Sequence, residues 1–227
     1  MLITDNFFSG ERPLYESRDL RLERVTIGEG ESGLKESRRI EAVECRFEGM
    51  YVIWECEDAT CRNCYFAPSD RAPLWYCRSG QISDLQIEQA QYAFMHASQL
   101  QISNIQLQGK YAFQYARNIE IHNAILDTKD AFWNSENVTV YDSEIKSEYL
   151  GWYSKNLRLV RCRIAGTQPL CYAENLVLED CSFAPDADRA FEKSSVKATI
   201  LGDITSIVDP LPGSEIRKLE KEPLFIP

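Results

Sequence analysis

The sequence predicts an all-β protein: a right-handed parallel β-helix, or solenoid, of about nine to ten short coils of ~19–21 residues. Three observations predict it. A repeat of about 19 residues runs through nearly the whole chain, apolar and polar residues alternate inside each repeat, and the corners of the repeat are rich in Asn and Asp.

The repeat is plainest in "AFWNSENVTVYDSEI" from Ala131, "LGWYSKNLRLVRCRI" from Leu150 and "PLCYAENLVLEDCSF" from Pro169. Asn118, Asn137, Asn156 and Asn175 fall in one column. With a residue or two of slack in the turns, further units begin at Ala112, Ala93, Pro73, Val52, Gly33 and Pro13. In the first unit the apolar or small positions are Leu14, Ser17, Leu20, Leu22, Val25 and Ile27. Period-two alternation broken by two-residue corners marks short strands, since a helical stripe would recur at three and four. Strands this short cannot bury their inner side chains alone, so successive coils must stack, about 4.8 Å apart, with three short strands expected per coil. Leucine-rich repeats lack a match because the helical half is missing, and pentapeptide solenoids need a period of five. The corner column Asn63, Asp84, Asn104, Asn123, Asp142 and Asp180 suits left-handed backbone and side-chain ladders.

Residues 1–206 are expected to form one β-helix domain, with coils from about residue 9, and residues 207–227 an extended C-terminal tail of the same domain. The "LFI" near the end of that tail is expected to cover something apolar.

The stretches "GERPLYES", "GLKES", "AFWNSENVTVYDS" and "EYLGWYSKNL" resemble the repeats of a widespread bacterial family of right-handed β-helix proteins, related in fold to pectin lyases and filed as a domain of unknown function. The resemblance covers nearly all of residues 9 to 200. It implies the fold and brings no reaction or catalytic residues with it.

Acidic residues outnumber basic ones 35 to 25, a formal charge of −10, and no cluster of Lys and Arg offsets it. Attraction to phosphate backbones is therefore missing, and no nucleic acid partner is expected. The first residues, "MLITDNFFSGERPLYES", carry neither a basic leader nor an apolar stretch of signal length, so a cytoplasmic protein with no membrane partner is expected. The eight cysteines should then be reduced thiols. The pair in "CRNC", Cys61 and Cys64, looks like a metal or redox motif when read alone. Read at the repeat period, both fall on inward columns, with Arg62 and Asn63 on a surface turn. We therefore read them as small core hydrophobes and expect no metal and no cofactor.

The informative positions follow Leu14. If Leu14 and Ser17 face in, the two residues between them face out. The first outward column runs Tyr15, Lys35, Trp54, Trp75, Met95, Gln114, Trp133, Trp152 and Cys171, and so holds all four tryptophans. The second runs Glu16, Glu36, Glu55, Tyr76, His96, Tyr115, Asn134, Tyr153 and Tyr172. An aromatic and acidic strip of this kind suits stacking on sugar faces and bonding to hydroxyls, which makes Trp54, Trp75, Tyr76, Tyr115, Trp133, Trp152, Tyr153 and Tyr172 the candidate ligand-binding residues. Stacked carboxylates would repel one another and raise a pKa, which makes Glu36 and Glu55 with His96 the candidate catalytic cluster. Only five to seven residues separate one Ile27-type position from the next Leu14-type position, which leaves no room for the long loops that line catalytic clefts. These features favour a non-catalytic binding or interaction module for a carbohydrate or protein ligand. A carbohydrate-active lyase or hydrolase of the pectin-lyase-like fold is one alternative, and a self-associating scaffold with the strip as a homodimer interface is another.

Overall fold

The computed structural model describes residues 1–219 and shows a parallel β-solenoid of about 11 turns without helix. No helix among them is long and apolar enough to cross a membrane. A typical coil contributes a six-residue strand such as Arg18–Glu23, a left-handed corner at Arg24, and a two-residue strand Thr26–Ile27. A connecting loop and a run of tight turns close it. Every registered strand pair is parallel, and partners lie about one repeat apart, as in Leu20↔Ile40, Ile40↔Ala59 and Ile119↔Val138.

The third side of the coil differs from the expected strand. Leu34, Phe94, Phe113 and Phe132 sit in tight turns whose backbone N–H groups still bond coil to coil, for example Phe113 N to Ala93 O at 2.9 Å. The position two residues further on is left-handed in coil after coil, from Glu16 (φ 52) through Tyr115 (φ 57) to Tyr172 (φ 57). Left-handed backbone at every turn breaks the pleat, so no strand forms there.

The stack also extends upstream of residue 9, because Leu2–Thr4 pairs with Arg21–Glu23 and Phe7–Phe8 with Thr26–Ile27. Towards the other end, Ile207 bridges Ala190 and Glu215–Leu219 lies against Val196–Leu201. The "LFI" of the tail lies outside the described residues.

The inward columns form one core. Phe94, Phe113 and Phe132 stack with centroids 4.6 and 5.0 Å apart and ring planes within 13°. Phe47 and Phe66 meet at 4.8 Å. All eight cysteines are buried and unpaired. Cys61 and Cys64 face inward at 1% and 3% exposure, and burial pushes the Cys61 thiol well above its ordinary value. The Cys64 thiol donates to the backbone carbonyls of Ala42 (3.5 Å) and Arg62 (3.4 Å).

The corners carry the expected ladders. Asn63, Asp84, Asn104, Asn123, Asp142 and Asp180 all have positive φ between 49° and 55°. The Asn104 amide donates to Asp84 at 3.0 Å and that of Asn123 to Asn104 at 3.3 Å. A second ladder joins Asn118, Asn137, Asn156 and Asn175 through amide bonds of 3.0, 2.8 and 3.1 Å. The inner amides, Asn104, Asn137 and Asn156, each donate to one neighbouring side chain and accept from the other, across a backbone bend that non-glycine residues otherwise resist.

A candidate ligand site on the outer aromatic strip

The two residues after each Leu14-type position point away from the core. Between buried Phe132 and buried Ser135, for instance, Trp133 and Asn134 are half-buried. The four tryptophans are all half-buried and form two pairs. Trp54 and Trp75 stack at 5.2 Å and 18°, and the Lys35 ammonium lies 4.0 Å from the centroid of the Trp54 ring as a cation–π contact. Trp133 and Trp152 lie 5.3 Å apart at 30°, and the Trp152 indole donates to Gln168 O at 2.7 Å.

The second column is a ladder of rings. Tyr76, His96 and Tyr115 stack at 4.5 and 4.8 Å with planes 7° and 8° apart. Trp75 meets Tyr76 at 5.2 Å, so an unbroken aromatic run links Trp54 to Tyr115. Beyond Asn134 a second cluster gathers Trp133, Trp152, Tyr153 and Tyr172, with Tyr153 on Tyr172 at 5.3 Å. Burial and the Arg117 guanidinium hold His96 below its ordinary pKa, which favours the neutral ring.

Glu36, Glu55 and His96 do come to one surface depression of about 540 Å³, together with Glu16, Tyr76 and the guanidinium groups of Arg18, Arg38 and Arg78. The expected charge repulsion does not govern it. Tyr15 donates its hydroxyl to Glu36 at 2.9 Å, and Lys35 Nζ lies 3.1 Å from Glu36 and 3.7 Å from Glu55. Lys35 and Tyr15 thereby hold the Glu36 carboxyl below the usual range, opposite to the rise that an acid catalyst needs. The lysine occupies the tryptophan column one coil before Trp54 and so lies between the two acids. Arg38 pairs with Glu57 at 3.5 Å, and both line the depression.

Several contributors escaped the sequence reading. Tyr51 lies 5.9 Å from both Trp54 and Trp75, and Tyr149 meets Trp152 edge-on at 5.0 Å. Both belong to a third outward column immediately before the units begin, and Tyr92 and Tyr111 stack within it at 5.6 Å. His122 stacks on Tyr141 at 4.5 Å and bonds Glu120 at 2.7 Å. The 19-residue offset between His122 and Tyr141 was the available signal. Among the described residues, no group of three or more His, Cys, Asp or Glu is placed to hold a metal ion.

Fold and surface together define the class: a parallel β-solenoid with one aromatic, charge-bordered outer face. The chain belongs to the family described as "Protein of unknown function (DUF3737)", whose model matches residues 1–91 and 77–221. No curated protein matches the sequence. Among solved structures, it is similar to QnrB1, a plasmid-mediated fluoroquinolone resistance protein, at 13% identity over 76% of this chain and 84% of that one, with a TM-score of 0.37. It is also similar to the Streptococcus pneumoniae surface protein and adhesin PfbA, at 10% identity over 90% of this chain and 77% of that one, with a TM-score of 0.40.

Proposed function

We propose that this protein is a non-catalytic binding module that takes carbohydrate on the outward aromatic strip. One observation carries the reading: the run Trp54, Trp75, Tyr76, His96 and Tyr115 faces outward, and its members Tyr76 and His96 line a depression bordered by glutamates and arginines. Saccharides present apolar C–H faces with a rim of hydroxyls, and such a strip offers both an apolar surface and paired donors and acceptors. The lyase or hydrolase alternative on Glu36, Glu55 and His96 has less support, because Lys35 and Tyr15 keep Glu36 ionised. The same proposal places the protein in the cytoplasm, where eight unpaired thiols persist.

The test is a glycan array probed with wild type, Trp75→Ala and Glu36→Gln, with oligomeric state followed by light scattering. Binding weakened at least about tenfold by Trp75→Ala and retained by Glu36→Gln is expected. Absence of glycan binding by wild type, with Trp75→Ala turning a dimer into a monomer, would replace this reading with the scaffold.

A further inference from the structure

The ring ladder has one missing rung. Tyr115, Asn134 and Tyr153 occupy the same position in three successive coils, as the bonds from Tyr115 N to Trp133 O and from Asn134 N to Trp152 O establish. Tyr115 is stacked by His96 on one side and Tyr153 by Tyr172 on the other. Between them stands an amide in place of a ring. The two tyrosines are therefore two coil spacings apart, about 9.6 Å, and no ring stacks flat on the side of either that faces the other. They are also the most exposed aromatic residues of the strip, at 42% and 48%.

The surroundings of the slot are polar at the rim and aromatic at the side. Trp133 lies 5.4 Å from Tyr153 at 54° and forms its flank. The Asn134 side chain makes no hydrogen bond among the described residues, unlike the amides of Asn137 and Asn156, which bond their neighbours above and below. Two residues along the chain from Tyr115 and Asn134, the Arg117 guanidinium pairs with Glu136 at 3.2 Å.

We propose that this slot is a subsite for one hexopyranose ring, held with a C–H face on each of Tyr115 and Tyr153 and its hydroxyls turned to Asn134 and the Arg117–Glu136 pair. The proposal rests on the carbohydrate reading of the strip and says where on it a sugar is gripped on both faces. A chair carries C–H groups on both faces, and a gap of about 9.6 Å leaves its centre about 4.8 Å from each ring, near the spacing the ladder already uses. A planar aromatic group would fill the same gap but has no hydroxyl rim for the free amide and the ion pair.

The decisive variant fills the rung. Asn134 has φ 53, and the neighbouring rungs carry tyrosine at φ 57, so Asn134→Tyr introduces a side chain that this backbone already accepts. Wild type, Asn134→Tyr, Tyr153→Ala and Trp75→Ala are applied to an array of hexopyranose oligosaccharides, with N-acetyltyrosinamide titrated separately as a planar-ring probe. Expected is a loss of glycan binding of at least about tenfold in Asn134→Tyr with an unchanged or raised melting temperature, and a similar loss in Tyr153→Ala, which covers the case of a filled variant that does not fold. Wild-type binding retained by Asn134→Tyr and Tyr153→Ala but lost in Trp75→Ala overturns the slot and leaves the strip reading intact. No glycan bound by wild type overturns both. Binding of N-acetyltyrosinamide, blocked by Asn134→Tyr, in a protein that takes no glycan overturns the ligand class.

Discussion

Asp70 is fully buried in the loop between two coils and makes no ion pair among the described residues. Its carboxylate oxygens accept from Tyr51 N at 3.0 Å and Val52 N at 3.4 Å, and so stand in for the backbone carbonyl that the preceding coil presents at this level, where Met50 O accepts from Ser32 N at 2.8 Å. Burial pushes its pKa up from 3.8 to about 7, because the hydrogen bonds to Val52, Ala72 and Tyr51 recover less than desolvation costs. Well below pH 3.8 the group is protonated in both folded and unfolded chains and contributes no pH dependence. Between about 4 and 7 the unfolded chain releases the proton while the folded chain keeps it, so stability falls as pH rises. The whole effect, reached above pH 7, is about 4 kcal/mol. Asp70→Asn keeps a neutral acceptor for Tyr51 N and cannot ionise. Urea unfolding at pH 4.5 and 7.5 should therefore show the variant within ~1 kcal/mol of wild type at the lower pH and more stable by a few kcal/mol at the higher. The difference between the two proteins cancels the other titrating groups. A gap independent of pH would refute the assignment of a neutral, buried Asp70.

The other stability predictions concern the core columns. Phe113→Ala should cost about 3–5 kcal/mol, towards the upper end, because Phe94 and Phe132 are held a coil away on either side by backbone bonds and cannot close the hole. A urea-derived loss below ~2 kcal/mol would mean that the coils do collapse. Cys61→Ile and Cys64→Val should each stay within ~1.5 kcal/mol of wild type, since both positions belong to columns filled elsewhere by Ile102 and Leu85. Unfolding of either variant, with wild type stabilised by added zinc or oxidant, would return the pair to metal or redox chemistry.

Legibility from sequence followed the offset of 19. Once Asn118, Asn137, Asn156 and Asn175 are aligned, the inward columns follow, and with them the burial of Cys61 and Cys64 and the outward direction of the tryptophans. The left-handed corners at Asn63 and Asp84 were readable because Asn and Asp tolerate that backbone. The left-handed positions at Glu55, Tyr76 and Tyr115 were not, since no local preference of Glu or Tyr announces positive φ. Bonds between neighbouring coils impose the conformation there, as Glu55 N to Trp75 O and His96 N to Gln114 O do at 2.9 Å. This is also why a strand was expected where turns occur. The coil at Leu2–Phe8 lacks the turn segment that identifies the others and so fell outside the template. The Glu36 environment was hidden for a different reason: column reading set the glutamates against one another and passed over Lys35, one residue away in the adjoining column.

Composition alone also misdescribes the strip. Counting outward Trp, Tyr and His suggests a broad platform of ring faces, yet rings repeated at coil spacing turn those faces towards one another. Trp54 is covered by Trp75 and Lys35, and His96 by Tyr76 and Tyr115, so most of this aromatic surface is consumed in holding successive turns together. What it offers a ligand is ring edges along the ladder and whole faces only where the ladder is interrupted. Tyr115 and Tyr153 are such faces, and the interruption is Asn134, a residue whose significance comes from the rings on either side of it. A ligand that needs flat contact on both sides is thus directed to one coil of the solenoid, whereas a ligand content with edges and charges meets the depression around Glu36 and Arg78.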